Sequence, residues 1–436
     1  MIPLSLDEIA RLCEGELTRA SGAAEVSGVV IDSRRVQAGD LFVAINRGAE
    51  FAPEALERGA AAVLIPANAE VALAALAGAV RARSGARVVA ITGSTGKTST
   101  KDILAALCAP QLETVAAEAS FNNELGIPLT VCRLEPDSEL AIVEIGMRGL
   151  GQIEQACGFV RPHVGLITSI GPVHLELLGT VERVARAKAE VLRGLEPGGI
   201  GIVPADEPLL EPFLPAGLDL RRFGRGGSSS LVSFEPGSET SRAVFEIEGE
   251  RVELELAVSA RHQAENTLAA LVVYHALGLP LEAAQEGARR IRLSRWRGEE
   301  TELPAGGLLI NDSYNANPTS LAAALEHQAQ LAAGRRRVVV LGTMAELGAE
   351  SERYHREIGK QASELGVAAL LAVGEGARAY LELADGVAER EWAPDAEAAA
   401  ELALEMARPT DCVLVKGSRV VGLELVAKAL EEAFAA

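Results

Sequence analysis

One short segment limits the fold of this chain more than any other: residues 92–99 read TGSTGKTS. The apolar run Val88–Ile91 precedes it, and the segment after it has apolar residues at helical spacing. A strand, a glycine-rich turn and a helix in this order form a phosphate-binding loop, because exposed backbone N–H groups and the helix N-terminus attract an anion. Lys97 can then reach the β- and γ-phosphates of a nucleotide, and Thr98 or Ser99 can ligate Mg²⁺.

The loop is a shortened form of a well-known nucleotide-binding pattern. The full pattern GxxxxGK[ST] needs glycine at position 91, where Ile91 stands, so the chain retains GxxGKT from Gly93. A glycine-rich turn with a solvated lysine is the alternative, but the strand, turn and helix are in register, which favours ATP binding. The residues expected to contact the nucleotide here are Thr92, Gly93, Ser94, Thr95, Gly96, Lys97, Thr98 and Ser99.

Apolar runs rich in β-branched residues continue along the chain. Such runs, separated by helical segments, are typical of parallel strands covered on both faces, so an α/β fold with a doubly wound parallel sheet is predicted. Residues 228–257 differ, because apolar and polar residues alternate there, and this predicts antiparallel strands added to the central sheet. The runs are Val88–Ile91, Leu140–Ile145, Val164–Ile170, Ile200–Val203, Leu308–Asn311, Val338–Gly342, Leu370–Gly374 and Val413–Lys416.

The 436 residues are enough for about three domains at roughly 150 residues each. We predict a small N-terminal α/β domain over residues 1–85 and a central phosphate-loop domain over residues 86–298. A C-terminal Rossmann-like domain is predicted over residues 299–436, since a new α/β series follows the arginine-rich stretch Arg289–Arg297.

The charge balance limits the partners of the chain. Forty-one Lys and Arg against 61 Asp and Glu give a net charge of −20, which repels nucleic acids and anionic membranes.

The first residues carry Asp7 and Glu8 where a secretory signal would be basic and apolar, and the five cysteines include no CxxC pair. We expect a cytoplasmic monomer with reduced, mostly buried thiols and no nucleic-acid or membrane partner.

Two further residues stand at the ends of predicted strands, where open α/β sheets collect their ligands. Glu144 lies at the end of the run Leu140–Ile145, and a carboxylate there could hold the magnesium of a nucleotide. His174 follows the run Val164–Ile170. A lone histidine in such a place is either a structural residue or a metal ligand.

Lys188 is a third candidate, found from helical geometry. In VERVARAKAEVL, which starts at Val181, Lys188 is the only charge on the apolar stripe, and Glu190 falls on the polar stripe. A buried ammonium group is costly unless it is paired or modified. Lys188 therefore either extends its amine to the edge of the stripe or approaches a metal site, as a cation or as a carbamate.

Together these residues resemble the Mur ligase family, the ATP-dependent amide-bond ligases of peptidoglycan synthesis. The resemblance extends from about Asp32 to Gly417. Its motifs are TGSTGKTS from Thr92, Glu144 at a strand end, GPVHLE around His174, AKAE around Lys188, RHQAEN at Arg261–Asn266 and NDSYNANP from Asn311. Three stretches resemble the members that add D-alanyl-D-alanine to UDP-N-acetylmuramoyl-tripeptide. They are SFNNELGIPLT at Ser120–Thr130, YNANP at Tyr314–Pro318 and MAELGAES at Met344–Ser351.

The resemblance implies a reaction through an acyl phosphate. ATP phosphorylates the terminal carboxylate of the nucleotide-linked peptide, the dipeptide amine attacks, and amide, ADP and phosphate are released. Lys97 and two Mg²⁺ ions would offset charge on the transferred phosphoryl group. Thr98 with Glu144 would bind one ion, and His174 with a carbamylated Lys188 would bind the other, which also accounts for a lysine on an apolar stripe.

The resemblance also implies roles for residues outside the phosphate loop. For the nucleotide, it implies adenine contacts by His262 and Asn266, a ribose contact by Asp312 and a phosphate contact by Arg297. For the substrates, the implied residues are Ser33, Arg34, Phe42, Asn122, Asn123, Asn315, Asn317, Lys416 and Ser418.

Some positions depart from the family's pattern. INRGAEFAPEAL from Ile45 lacks the usual DGH-like run, Thr343 stands where GDM is usual, and Gln263 stands where asparagine often follows the histidine. Two alternatives stay open beside the dipeptide-adding ligase. One is a related ligase with a different carboxylate or amine substrate, and the other is a non-catalytic, nucleotide-regulated binding protein.

Overall fold

The computed structural model describes residues 1–237 and 240–435. The backbone forms two compact units of mixed α/β structure. The first comprises Met1–Ser169, Ala185–Ser259 and Gln263–Arg292, and the second comprises Ile170–Val184, Ala260–His262 and the chain from Leu293 onward.

A small sheet occupies the first 85 residues. The strands are β1 (Leu4–Ser5), β2 (Gly15–Arg19), β3 (Glu25–Val26), β4 (Gly28–Val30), β5 (Asp40–Val43) and β6 (Ala62–Pro66), and the helices are α1 (Leu6–Leu12), α2 (Ala52–Glu57) and α3 (Ala69–Arg83). The order is β2-β6-β5-β4, in which β2 is antiparallel to β6 and the others are parallel, while β1 pairs with β3. Arg81 of α3 is buried and donates to the carbonyl oxygens of Val160 and Arg161, which joins this sheet to the rest of its unit.

The central sheet has nine strands among the described residues. They are β7 (Arg87–Thr92), β8 (Thr114–Ala116), β9 (Leu140–Glu144), β10 (Val164–Ile167), β11 (Ile200–Pro204), β12 (Asp219–Phe223), β13 (Ser229–Glu235), β14 (Ser241–Ile247) and β15 (Glu250–Leu256), in the order β15-β14-β13-β12-β11-β10-β7-β9-β8. Strands β7 to β12 are parallel, and β13, β14 and β15 form antiparallel hairpins. The predicted parallel sheet with added antiparallel strands is confirmed.

Helices of this middle part of the chain are α4 (Lys97–Cys108), α5 (Gly126–Cys132), α6 (Gln152–Val160), α7 (Leu175–Leu178), α8 (Val181–Lys188), α9 (Glu190–Arg193), α10 (Arg261–Ala276) and α11 (Ala284–Ala288). Strand β7 lies between β9 and β10, so the chain goes to one side for β8 and β9 and to the other for β10. The strand order reverses at the carboxyl end of β7, which is the position where open α/β sheets bind ligands.

The last sheet lies in the second unit. It consists of β16 (Glu299–Glu302), β17 (Leu308–Asp312), β18 (Arg337–Gly342), β19 (Ala369–Val373), β20 (Glu389–Ala393) and β21 (Cys412–Lys416), in the order β16-β17-β21-β18-β19-β20. All pairs are parallel except β16 with β17. The helices are α12 (Pro318–Leu331), α13 (Ser351–Glu364), α14 (Ala396–Met406) and α15 (Glu424–Phe434), an arrangement consistent with the predicted Rossmann-like fold.

Short 3₁₀ helices occur at Ser33–Arg35, Gly48–Phe51, Glu211–Phe213, Leu281–Ala283, Gly348–Glu350, Glu375–Leu383 and Arg419–Val421. All five cysteines are buried and form no disulfide, as expected. Within the described ranges, no helix has the length and apolar character to cross a membrane. The division into three domains stays a prediction.

Candidate functional site

The phosphate loop follows β7 and ends at the first turn of α4. Gly96 precedes α4 in the left-handed region, with a φ of 80°, and Gly93 has a φ of 149°. A Cβ on Gly93 would lie 1.9 Å from Thr168 Oγ1, and one on Gly96 would lie 2.4 Å from Asn266 Oδ1. Both positions therefore need glycine, for backbone conformation and for space.

Thr168 and Ser169, the two residues after β10, hold this loop. The N–H of Thr95 donates to Ser169 Oγ at 2.9 Å. Thr168 Oγ1 donates to the carbonyl oxygen of Thr95 at 2.5 Å and lies 3.3 Å from that of Thr92. The motif itself gives no sign of these two residues. Their place at the end of the strand beside β7 is the signal that could have found them.

Lys97, Thr98 and Ser99 form the first turn of α4. Lys97 Nζ donates to the carbonyl oxygen of Gly93 at 2.8 Å, so the ammonium group already lies across the loop. Thr98 and Ser99 are buried beside it. The N-terminus of α4 and the loop amides together attract negative charge, which suits the phosphates of a nucleotide.

Glu144 ends β9 and lies opposite Ile91 of β7, beside the loop. The side chain is fully buried. Oε1 accepts a hydrogen bond from Asn122 Nδ2 at 2.5 Å, whereas Oε2 is buried and has no hydrogen-bond partner. A buried carboxylate oxygen without a partner is costly, and a hard cation such as Mg²⁺ would satisfy it. The donor set on this side of the loop therefore fits a magnesium ion.

Lys188 is buried at the end of α8, with 1% of its surface exposed, as the helical stripe predicts. Burial, and then repulsion from Lys97, hold the pKa of this amine well below the usual lysine range, while Glu144 and Glu190 act in the opposite direction. The low pKa favours the neutral amine. A neutral amine is the form that reacts with CO₂.

The prediction that Glu190 lies on the polar stripe of the same helix as Lys188 is wrong. The helix is interrupted at residue 189, so α9 begins at Glu190, and this side chain is buried. Its carboxylate accepts hydrogen bonds from the N–H groups of Gly151 at 2.7 Å and Glu154 at 3.3 Å. A carboxylate is favourable at a helix N-terminus, so Glu190 caps α6 and also places a negative charge near Lys188.

The strand before His174 is shorter than predicted, because β10 ends at Ile167 and the next two residues bind the phosphate loop. His174 belongs to the second unit and has a positive φ of 54°. Its Nδ1 forms a short hydrogen bond with Glu346 Oε2. This partner lies in the stretch Met344–Ser351, which the resemblance singles out, but the sequence gives no sign of its contact with His174.

Lys416, which is buried, and the partly buried Asp312 form an ion pair in the second unit. Asp312 at the end of β17 lies opposite Lys416 at the end of β21. Lys416 Nζ donates to Asp312 Oδ2 at 2.6 Å and to the carbonyl oxygen of Asn315 at 2.9 Å. Ser418 Oγ accepts from the N–H of Ala345 at 2.9 Å. Four predicted site residues thus gather at the carboxyl end of this sheet.

His262 and Arg297 both contact rings within the second unit. The ring of His262 meets that of His327 edge to face, with centroids 5.8 Å apart, and His327 Nε2 is 2.9 Å from Glu300 Oε1. Burial lowers the pKa of His262 to about 4, so the ring is neutral at neutral pH. The guanidinium of Arg297 stacks on Tyr314 at 4.2 Å from the ring centroid.

Three residues predicted to contact substrate have structural roles. Asn317 caps α12 by accepting from the N–H of Ser320 at 2.9 Å, and Asn123 accepts from the N–H of Gly126 at 2.9 Å at the start of α5. Phe42 of β5 is 1% exposed and packs in the core of the small sheet. Substrate contacts by these residues stay predictions.

Ser33 and Arg34 lie in a 3₁₀ helix that Asp32 caps. Asp32 Oδ1 accepts from Arg34 Nε at 2.9 Å, and Oδ2 accepts from Arg34 Nη2 at 2.8 Å. These hydrogen bonds lower the pKa of Asp32 to about 2. The exposed Arg34 is therefore held by a permanent counter-charge.

Lys101 is a buried cation that the motif does not single out. It lies in α4 and donates from Nζ to the carbonyl oxygens of Ala117 and Ala119, both at 2.7 Å. It also pairs with Asp102 at 2.7 Å. Lys101 thereby holds the segment after β8, which leads to the partner of Glu144, Asn122.

The predicted metal ligands fall in both units. Thr98, Glu144 and Lys188 belong to the first unit, and His174 belongs to the second. Asn266 and His262, expected beside the adenine, are likewise divided. Among residues 1–237 and 240–435, no three His, Cys, Asp or Glu side chains form a group that could hold a metal ion by themselves.

Comparison with known families and proteins shows similarity over the whole chain. The Mur ligase middle domain matches residues 91–274, and the Mur ligase glutamate ligase domain matches residues 296–419. The UDP-N-acetylmuramoyl-tripeptide--D-alanyl-D-alanine ligase of Escherichia coli is 32% identical over 99% of each chain. The ligase of the same name from Mycobacterium tuberculosis is 35% identical over 99% of this chain and 98% of that one.

Solved structures show the same similarity. A crystal structure of MurF from Acinetobacter baumannii matches 98% of this chain and 99% of its own, with a TM-score of 0.87 and 26% identity. The MurF ligase from Thermotoga maritima in complex with ADP matches 93% of this chain and 98% of its own, with a TM-score of 0.80 and 26% identity.

Proposed function

Because this chain belongs to the Mur ligase family, we propose that it is an ATP-dependent ligase that joins D-alanyl-D-alanine to UDP-N-acetylmuramoyl-tripeptide. The observation that carries the proposal is the full-length similarity to relatives of that name. The reaction would be a step in the cytoplasmic synthesis of peptidoglycan precursors.

The chemistry proceeds in two steps. An oxygen of the peptide carboxylate attacks the γ-phosphorus of ATP, which gives an acyl phosphate and ADP. The amine of the dipeptide then attacks the acyl carbon, a proton is lost, and phosphate leaves as the amide forms. Residues 92–99 hold the ATP phosphates through their amides, and Lys97 leaves the carbonyl of Gly93 to meet the transferred group.

Two Mg²⁺ ions would neutralise charge on the phosphates and on the transferred group. The orphaned Oε2 of Glu144 supports one ion site, to which the buried Thr98 would contribute its hydroxyl. His174 and a carbamylated Lys188 would hold the second ion.

A carbamate at Lys188 agrees with the surroundings of this amine. The neutral amine attacks the carbon of CO₂, one proton goes to solvent, and the product carries a single negative charge on two oxygens. It would replace a buried amine of low pKa by a carboxylate-like ligand, which is what a second metal ion requires.

The remaining predicted residues divide by ligand. We assign the UDP part of the substrate to the N-terminal domain, residues 1–85, with Ser33, Arg34 and Phe42. His262 and Asn266 would contact adenine, Arg297 the phosphates and Asp312 the ribose. Lys416 holds Asp312 in place through a hydrogen bond to Oδ2. The residues proposed to contact the peptide or line the closed cleft are Asn122, Asn123, Asn315, Asn317, Lys416 and Ser418.

The direct test measures ADP release with UDP-N-acetylmuramoyl-tripeptide, with and without D-alanyl-D-alanine. We expect turnover that needs both substrates. Turnover without the dipeptide, or with another amine only, would contradict the proposed substrate pair. Absence of turnover with every carboxylate and amine tried would favour a nucleotide-regulated binding protein instead.

A variant of Lys188 tests the carbamate. We expect Lys188→Ala to lose most activity and to recover part of it in added short carboxylates, and ¹³C-labelled bicarbonate to give a carbamate NMR signal only in the parent. Arg186→Ala, on the exposed face of the same helix, is the matched control. If Lys188→Ala turns over like the parent, the carbamate assignment is wrong.

A further inference from the structure

His174 and Glu346 are 172 positions apart in the sequence and meet within the second unit. Nδ1 of the histidine and Oε2 of the glutamate are within hydrogen-bond distance. The backbone carbonyl oxygen of Glu346 also accepts a hydrogen bond from the backbone N–H of Glu176, two residues after His174, at 3.1 Å. A Cβ on Gly348 would lie 3.1 Å from Glu176 Cα, so the two segments are in close contact.

Both partners have strained backbone conformations. The φ angle is 54° at His174 and 62° at Glu346, in the left-handed region that residues with a side chain seldom adopt. Such residues persist only where the surrounding structure imposes them, and they concentrate at functional sites. Two of them in direct contact indicate that the orientation of this ring is the feature being maintained.

We propose that Glu346 is a positioning residue that fixes the tautomer and orientation of the His174 ring. A neutral histidine can donate to a carboxylate only from the nitrogen that carries the proton, here Nδ1. The lone pair then resides on Nε2, and a histidine that binds a metal usually has such a carboxylate on its other nitrogen. The choice of a divalent cation as the ligand of Nε2 rests on the proposed function.

Another histidine of the same unit shows what a purely structural ring looks like. His355 Nε2 accepts from the N–H of Met344 at 3.0 Å, and its Nδ1 lies 2.6 Å from the carbonyl oxygen of Ser351. Both nitrogens of that ring are thus used by backbone groups. At His174, by contrast, Nδ1 contacts a side-chain carboxylate, the group that commonly orients the ring of a metal-binding histidine.

The tautomer can be measured without any metal. ¹⁵N chemical shifts of the histidine rings at pH 8, with His174 assigned by its loss in His174→Gln, report which nitrogen carries the proton. The parent is expected to show the Nδ1–H form and Glu346→Ala mainly the Nε2–H form. Glu346→Gln, which keeps an acceptor oxygen, should retain Nδ1–H. An Nε2–H form in the parent overturns the proposal.

Mn²⁺ binding, followed by electron paramagnetic resonance with a non-hydrolysable ATP analogue, tests the consequence. We expect Glu346→Ala to weaken Mn²⁺ affinity by about 10- to 100-fold, with partial recovery in Glu346→Gln. Glu350→Ala is the control, since Glu350 lies in the same turn and pairs with Arg353 at 2.7 Å. Equal affinity in Glu346→Ala and Glu350→Ala contradicts the positioning role.

His174→Ala separates the two ideas. If it leaves Mn²⁺ affinity unchanged, the proposed metal ligand itself is wrong. If it loses affinity while Glu346→Ala does not, the metal ligand stands and only the role of Glu346 fails. Glu346 already has a side chain at a positive φ, so alanine can adopt the same backbone conformation. Circular dichroism of each variant checks that it is folded.

Discussion

Replacing Gly93 by alanine places a methyl group where the structure has no space for one. The new Cβ would lie 1.9 Å from Thr168 Oγ1, 3.0 Å from the backbone nitrogen of Thr168 and 3.1 Å from that of Ser169. Nonbonded heavy atoms rest about 3.5 Å apart, so side-chain rotation alone cannot relieve the contact. The Thr168 side chain must rotate away, and the turn after β10 and the phosphate loop must also separate by about 0.5 Å.

The cost has two sources. A φ of 149° is adopted almost only by glycine, and forcing another residue into that region costs about 1 to 3 kcal/mol. The displaced Thr168 loses its hydrogen bonds to Thr95 and Thr92, at about 1 kcal/mol each. We expect Gly93→Ala to lower the free energy of unfolding by about 3 to 5 kcal/mol, and the displaced amides to weaken ATP binding at least about tenfold.

Urea unfolding and calorimetric titration with an ATP analogue measure the two effects. Gly158→Ala is the matched control, because the residue is inside α6 and its Cβ would meet no atom within 4 Å beyond the chain neighbours and the backbone of that helix. That control should be neutral or stabilise by up to about 1 kcal/mol. The double variant Gly93→Ala/Thr168→Ala should cost less than the two single changes together. If Gly93→Ala unfolds and binds nucleotide like the control, the steric argument fails.

Two other changes test groups buried in each unit. The pKa of His262 is about 4 in the folded protein and about 6.5 in the unfolded chain, so the unfolded chain binds more protons between these pH values. The free energy of unfolding should therefore fall by up to about 3 kcal/mol as the pH drops from 6.5 to 4. Urea midpoints of the parent should show this loss and those of His262→Gln should lack it; parallel profiles would refute the assignment. Lys101→Met should destabilise by about 3 kcal/mol, because two carbonyl groups and Asp102 lose their buried cation, whereas the exposed Lys360→Met should change stability by less than about 0.5 kcal/mol. Similar midpoints for both lysine variants would contradict the reasoning.

Patterns within single segments predicted much of the fold. Parallel strands buried on both faces consist of unbroken apolar residues, so β7, β9, β11 and β18 were found within one or two residues. Helical periodicity placed Lys188 on the apolar stripe, and the side chain is buried. These features depend on neighbours along the chain, which the sequence displays directly.

Contacts between distant segments were beyond such patterns. Strand β10 ends early because Thr168 and Ser169 turn to bind the phosphate loop, and nothing in their identity announces it. Glu190 has the spacing of a solvent-facing residue, yet it caps a helix that begins 38 positions earlier, at Gln152. The partner of His174 was hidden for the same reason. Hydrogen bonds of this kind follow from the tertiary fold and leave no periodic trace.

The five buried sulfur atoms have a practical consequence for studying this protein. Burial raises the pKa of Cys13 to about 11 and those of Cys108, Cys132, Cys157 and Cys412 to about 12, so almost no thiolate exists at neutral pH. Only the thiolate reacts with maleimides and peroxides. The native cysteines should therefore not react with such reagents. A single cysteine engineered on the surface could carry a fluorophore or spin label without removal of the natural five.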